Sequence, residues 1–278
     1  MDATRLRRGL DLGAAVKDRL TRHNGPLYAA AIAFFAFLAL IPTLAAVIGV
    51  YGLVADPDHV TEQLTGALAG APESTRAFLV DQMTEIADGS SSTLGLGVAF
   101  SLVLALFSAS GAVANLVKAL DVVYDLEETR KPWTLRGLAF GLVVGGVVVL
   151  GVVVFAMAAL PALLDELEVS AGLRWLLMLG RFPLLAALLV GGLSVLYRIG
   201  PDHAGGPGRT RSPVVGATVG MVLFLVLSTL FGWYTANFGS YGETYGPLAT
   251  IIVLLLWFQL SALAVIVGAE VDAELSAG

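Results

Sequence analysis

Residues 108–133 read SASGAVANLVKALDVVYDLEETRKPW. The stretch begins inside a long apolar run and ends in charged sequence. Its first part, Ser108, Ala109, Ser110, Gly111, Ala112 and Ala114, is made of small residues. Such residues let helix backbones come close where lipid supplies no hydrophobic drive between helices. Asn115, Lys118, Asp121 and Asp125 follow, and 118/121 and 121/125 are neighbours on one helix face. Pro132 disfavours helical backbone at Lys131 and closes the segment. The stretch predicts a close-packed helix that carries polar groups out of a bilayer. A second reading of its charged end is a solvated helix terminus.

The rest of the chain has the composition that such a helix needs. Of 278 residues, 57% are hydrophobic and only 14% are charged. Soluble domains carry about a quarter charged residues, so the chain belongs in a membrane. No cysteine is present, which excludes disulfides and thiolate metal sites. The first apolar run starts near Leu27 and is too long for a signal peptide's apolar region. It reads as an uncleaved first span.

Charges divide the apolar sequence into six spans. Asp, Glu, Lys and Arg are absent between Arg22 and Asp56, Asp88 and Lys118, Arg136 and Asp165, Arg211 and Glu243, and Glu243 and Glu270. The sixth span lies between Arg174 and Arg198 and is broken only by Arg181. Each can hold a helix of about 20 residues, enough for the hydrocarbon core. The predicted spans are 28–54, 94–119, 137–163, 174–199, 213–236 and 246–270. They make one membrane domain over 27–275, preceded by a basic segment at 1–26. No two-residue alternation supports a barrel. The fold class is therefore all-α: a polytopic protein with six transmembrane helices.

Thirteen of the sixteen Lys and Arg fall in 1–26, 118–136 and 198–211. Only Arg76, Arg174 and Arg181 fall on the other side. The positive-inside rule predicts both termini in the cytoplasm. Segment 1–26 carries Arg5, Arg7, Arg8, Lys17, Arg19 and Arg22 beside an apolar stripe of Leu6, Leu10, Val16 and Leu20. It reads as an amphipathic helix drawn to anionic lipid. It lacks aromatics for base stacking, so nucleic acid is not an expected partner. The long outer loop, 55–92, collects seven acids, and its Leu64, Leu68, Phe78, Leu79, Met83 and Ile86 suggest two short amphipathic helices. Pro57 and Pro72 are placed to start them.

The quoted stretch, from Ser108 to Arg130, resembles the central signature of the YihY/BrkB family of bacterial inner-membrane proteins. Ala30–Phe35 with Leu40-Ile41-Pro42-Thr43 is similar to that family's first membrane segment. Tyr245-Gly246, Trp257 and Gly268-Ala269-Glu270 resemble its last, although Phe258 and Gln259 depart from it. The resemblance covers residues 20–275 and implies a multi-pass protein of the inner (plasma) membrane. It further implies links to virulence or serum resistance in some members, a suggested transport role, and an older ribonuclease label.

Arg181 is the least expected residue, about 10 Å deeper than Arg174 along the helix. It either snorkels outward or meets an acid, with Glu243, Asp165 or Glu166 in reach, and it could bind an anion in an outward cavity. Asn115 and Gln259 lie at membrane depth, where interhelical hydrogen bonding explains them as well as a substrate role does. Gly137, Gly141 and Gly145 in the third span and Gly216 and Gly220 in the fifth, with Gly111 in the second, mark expected helix contacts. Pro42, Pro161 and Pro183 lie within spans, and each frees a carbonyl one turn back.

At the predicted inner end, Glu270 is expected to pair with Lys118, with Arg130 as the competing partner. Solvation of Glu270 beside Asp272 and Glu274 is the alternative. Asp125, Glu127 and Glu128 read as a solvated turn. His23, His59 and His203 are scattered, and no H-E-x-x-H or G-x-S-x-G motif is present. No catalytic centre, metal or cofactor is expected. The expected function is a transporter or flippase-like protein for an amphiphilic or anionic solute. The alternative is a non-transporting scaffold for envelope integrity. Membrane lipid is the expected environment, and no nucleotide-binding P-loop is present to drive transport.

Overall fold

A computed structural model describes residues 3–52, 80–81, 94–154, 170–205, 213–237 and 247–277. Among the described residues are seven long α-helices and no strand. We number them α1 (Ala3–Arg22), α2 (Gly25–Gly52), α3 (Leu94–Val123), α4 (Pro132–Val154), α5 (Ala171–Ile199), α6 (Pro213–Asn237) and α7 (Pro247–Ala277). A short 3-10 turn, His203–Gly205, follows α5. The outer loop expected at 55–92, apart from 80–81, lies outside the described residues, as do Pro161, Asp165, Glu166 and Glu243.

Six of the helices contain a segment long and apolar enough to cross a bilayer. These are Gly25–Thr43, Ala99–Val123, Pro132–Val153, Gly172–Ile199, Pro213–Thr235 and Leu248–Ser276. Their surfaces explain why such a fold needs lipid. Phe100, Val147, Leu150, Trp175, Leu184 and Leu230 are all exposed. In water they would form apolar patches far larger than a soluble monomer tolerates. Hydroxyls in these helices do not seek water either. Thr43, Ser194, Thr218, Thr229 and Ser261 each donate to the carbonyl four residues back. That local bond satisfies a polar group that lipid cannot. α2 runs through Pro42 and α5 through Pro183.

The chain divides into two compact units. The first comprises Met1–Gly25, Val117–Leu223 and Ala264–Gly278; the second comprises Pro26–Leu116 and Phe224–Leu263. In the second unit the small-residue face of α3 is buried at Ser108, Ser110, Gly111, Ala112 and Ala114. Phe224, Trp257 and Phe258 form a run of tilted ring contacts, with centroids 6.3 and 5.4 Å apart.

In the first unit, α6 and α7 meet backbone to backbone. A Cβ on Gly216 would sit 2.5 Å from Gly268 O, and one on Gly268 would sit 2.6 Å from Gly216 O. A Cβ on Gly220 would stand 3.3 Å from Ala264 O. Tyr197 of α5 is fully buried at this crossing and donates its hydroxyl to Val265 O at 2.7 Å. The glycine repeat of α4 differs from its expected role. A Cβ on Gly137, Gly141 or Gly145 meets nothing within 4 Å. The contact that glycine permits is made by Gly216, Gly220 and Gly268, where the backbones of α6 and α7 close on each other.

Candidate functional site

The first unit gathers charge at the ends of α1, α3, α5 and α7. α1 ends in a turn at His23 and Asn24, where Asn24 takes a left-handed φ of 51°. Asparagine tolerates that region better than most residues. α3 ends in the same manner. Leu126 N–H reaches back to Asp121 O at 2.8 Å, and Asp125 between them has φ 54°. This is the Schellman arrangement, with buried Leu126 as its apolar contact. An aspartate replaces the usual glycine, and its carboxylate is used.

Glu270 of α7 is completely buried. Arg19 Nε donates to its Oε2 at 2.9 Å, and His23 Nδ1 lies 2.7 Å from its Oε1. The same two residues also face Asp125. Arg19 Nη2 is 3.2 Å from Asp125 Oδ2, and His23 Nε2 is 3.5 Å from Asp125 Oδ1. Arg19 Nη2 further donates to Val123 O at 2.6 Å. The four side chains form a closed ring in which basic and acidic residues alternate. Burial alone would lower the Arg19 pKa, but the hydrogen bond and charge of Glu270, reinforced by Asp125, outweigh it and the net shift is upward.

A second cluster surrounds Arg130. Its Nε donates to Glu128 Oε1 at 2.7 Å and its Nη2 to Gly200 O at 2.9 Å. Asp121 Oδ1 is 3.5 Å and Asp202 Oδ2 is 3.8 Å from the same guanidinium. Asp202 N–H donates to Asp121 Oδ1 at 2.7 Å, so the segment after α5 is fastened to α3. Thr129 donates to Asp202 through both its N–H, at 2.9 Å, and its hydroxyl, at 2.6 Å. The side-chain bond from Thr129, with the backbone N–H groups of Thr129 and Ala204, outweighs desolvation and holds the Asp202 carboxyl below the usual range.

Tyr124 donates to Asp272 Oδ2 at 2.8 Å, and Asp272 is also completely buried. Burial, with the negative charge of Asp272, pushes the Tyr124 phenol well above its ordinary pKa and keeps it a donor.

Several expected site residues stand elsewhere. Glu270 is engaged on both oxygens by Arg19 and His23, and Lys118 is exposed, so the expected Glu270–Lys118 pair is not formed. The reason is that α1 returns its Arg19 to this helix end. Arg130 does not compete for Glu270, because Glu128, Asp121 and Asp202 surround it. The turn at 125–128 is not simply solvated: Asp125 and Glu128 are both paired, although Asp125, like Glu127, remains exposed. Glu274 is half-buried. Arg181 lies in α5 with its guanidinium 5.0 Å from the Phe182 ring centroid. Asn115 donates to Gly111 O at 2.9 Å within α3, and Gln259 is half-buried in α7; both belong to the second unit. Among the described residues no group of three or more His, Asp or Glu could hold a metal ion.

The clusters depend on residues that the sequence does not single out for them: Arg19, His23, Asp202, Asp272 and Tyr124. Arg19 and His23 were legible only as lipid-facing cation and isolated histidine. A helical step of four along α1 places them on one face, and that was the available signal.

A family model described as Virulence factor BrkB matches residues 16–277. The chain belongs to the BrkB family. Its helix-end clusters, from Arg19 to Asp272, all fall within the matched BrkB region. Among relatives, a protein of Bacillus subtilis named putative ribonuclease-like protein YfkH is 29% identical over 273 residues, covering 93% of this chain and 92% of its own. A UPF0761 membrane protein of Tolumonas auensis is 29% identical over 261 residues, covering 90% and 80%. One from Alkalilimnicola ehrlichii is 28% identical over 272 residues, covering 95% of this chain and 58% of its own. No solved structure matches. With six apolar spans and these relatives, this BrkB-family chain is a multi-pass protein of the bacterial inner membrane.

Proposed function

We propose that this BrkB-family protein moves a solute or lipid across the inner membrane, as a secondary transporter or flippase-like protein for an amphiphilic or anionic substrate. The observation that supports it is the complete burial of Glu270 and Asp272 at the end of an otherwise apolar helix. Charge in such a place is costly, and ionisable groups within membrane helices mark substrate or ion pathways. The ring of Arg19, His23, Asp125 and Glu270 joins three helix ends through contacts that can be made and broken as a set. On this reading the ring and the Arg130 cluster close the cytoplasmic side, as the distribution of Lys and Arg suggests. Glu270 and Arg130 act as gate residues. Lys118, Arg181, Asn115 and Gln259 are candidates for contact with the solute along its path. The protein is not an enzyme on this reading, and the ribonuclease-like name belongs to YfkH.

The test is flux in liposomes. Purified protein is reconstituted with fluorescent phospholipids and a panel of anionic amphiphiles. Flux above protein-free liposomes, reduced at least tenfold by Glu270→Gln, is the expected result. Absence of flux for every solute and lipid, with folded protein, overturns the proposal and favours a scaffold for envelope integrity.

A further inference from the structure

The ring that joins α1 to α7 has a property that its distances alone make visible. Each carboxylate uses both oxygens and each basic residue uses two nitrogens. Glu270 faces Arg19 Nε and His23 Nδ1; Asp125 faces Arg19 Nη2 and His23 Nε2. Two carboxylates and one guanidinium leave the ring with a charge of minus one. A proton on His23 makes it neutral. The proton also decides the hydrogen bonding. Neutral imidazole has one N–H and one bare nitrogen, so it can donate to one carboxylate only and turns a lone pair toward the other. Imidazolium donates to both. The ring nitrogens stand against acceptors on two different elements, and no donor among the ring's members can face a bare nitrogen there.

We infer that His23 is a proton-operated clasp: protonated, it locks α1 onto the ends of α3 and α7, and deprotonated, it releases the Asp125 or the Glu270 contact. The charged and titratable groups around it are Glu270 from α7, Asp125 from the turn after α3, and Arg19 from α1 itself. Arg19 stays charged throughout, so the proton on the histidine decides how firmly α1 is held. Docking is favoured when the imidazole carries a proton and weakens when that proton is lost. The clasp sits where α1 passes into α2, with Gly25 buried directly after the turn, so release would free α1 without unwinding the first span. The inference concerns α1 docking and stands whether or not the protein transports anything.

Spin labels on cysteines at Lys17 and Glu127 read the docking directly. Both positions are exposed, they belong to the same unit, and the chain has no cysteine of its own. Double electron–electron resonance on detergent-solubilised full-length protein is recorded from pH 5 to 9. One narrow distance is expected at pH 5, with a second, longer population growing in toward pH 9. In the His23→Gln variant the distribution should not change with pH. Asp125→Asn, which removes an exposed carboxylate, should move the midpoint to lower pH, since an opposite charge favours the protonated form. A pH-independent distribution in the unsubstituted background, or a pH response retained in His23→Gln, overturns the inference. If His23→Gln does not fold, an unmoved midpoint in Asp125→Asn overturns it equally.

Discussion

Arg19 and Glu270 stand 251 residues apart and are joined by a hydrogen-bonded ion pair of 2.9 Å. Glu270 is completely buried and the Arg19 side chain is only 12% exposed, so the pair is largely out of water. Removing one partner of such a pair leaves a buried charge uncompensated, at about 3–5 kcal/mol. Arg19→Ala should lower detergent-solubilised stability by that order, and Arg19→Ala with Glu270→Ala should cost less than the sum of the two. Lys118→Ala should do little. A double-mutant cycle read by chemical unfolding checks this, and zero coupling between Arg19 and Glu270 would remove the contact's energetic weight.

The helix crossing at Gly268 yields a second expectation. Gly268→Ala puts a methyl 2.6 Å from both Gly216 O and Tyr197 Oη. Forcing apart a packed contact costs about 1–3 kcal/mol. The melting temperature should fall by several degrees. Gly141→Leu should leave it unchanged, since the space beside Gly141 is open. Equal effects at the two positions would contradict this contrast.

Asp202 predicts a pH dependence. Its folded pKa is depressed, chiefly by the Thr129 side chain. Its stabilisation is therefore present in full above the unfolded value, about 3.9, and is lost as pH falls through the folded value. The stability gap between the unsubstituted protein and Asp202→Asn should be widest at neutral pH and close in acid below about pH 4. Thermal melts across pH 3–7 measure it, and a gap that widens in acid would reverse the sign.

Tyr124→Phe deletes one donor to a buried carboxylate. A hydrogen bond to a charged group contributes about 1.5–3 kcal/mol. Loss of stability on that scale is expected by chemical unfolding, with the helical circular dichroism of the folded state unchanged. Stability equal to the unsubstituted protein would mean that water or another donor replaces the phenol at once.

Membrane orientation is open to direct labelling. A single cysteine at Ser276 should resist an impermeant thiol reagent in intact cells and react after permeabilisation. One at Ser74, in the segment predicted to lie outside, should react in intact cells. The reverse pattern would overturn the cytoplasmic assignment of the charged helix ends.

Hydropathy made the membrane class and the six helices legible, because a span must satisfy its backbone within one continuous segment. Interruptions by Asp, Glu, Lys and Arg therefore mark where spans end, and Ser108–Ala114 announced a buried small-residue face from composition alone. Partner choice at the helix ends was not legible in the same way. Lys118 and Glu270 were both plausible from their depth, yet the pair depends on which cation a distant segment brings back. Arg19 reaches Glu270 because the last turn of α1 packs beside α7, and Asp125 faces Arg19 because α3 ends in a left-handed residue. The glycines divide on the same ground. A four-residue glycine spacing says that a helix can approach another closely; whether it does is a property of two backbones, and here Gly216, Gly220 and Gly268 meet one while Gly137, Gly141 and Gly145 do not.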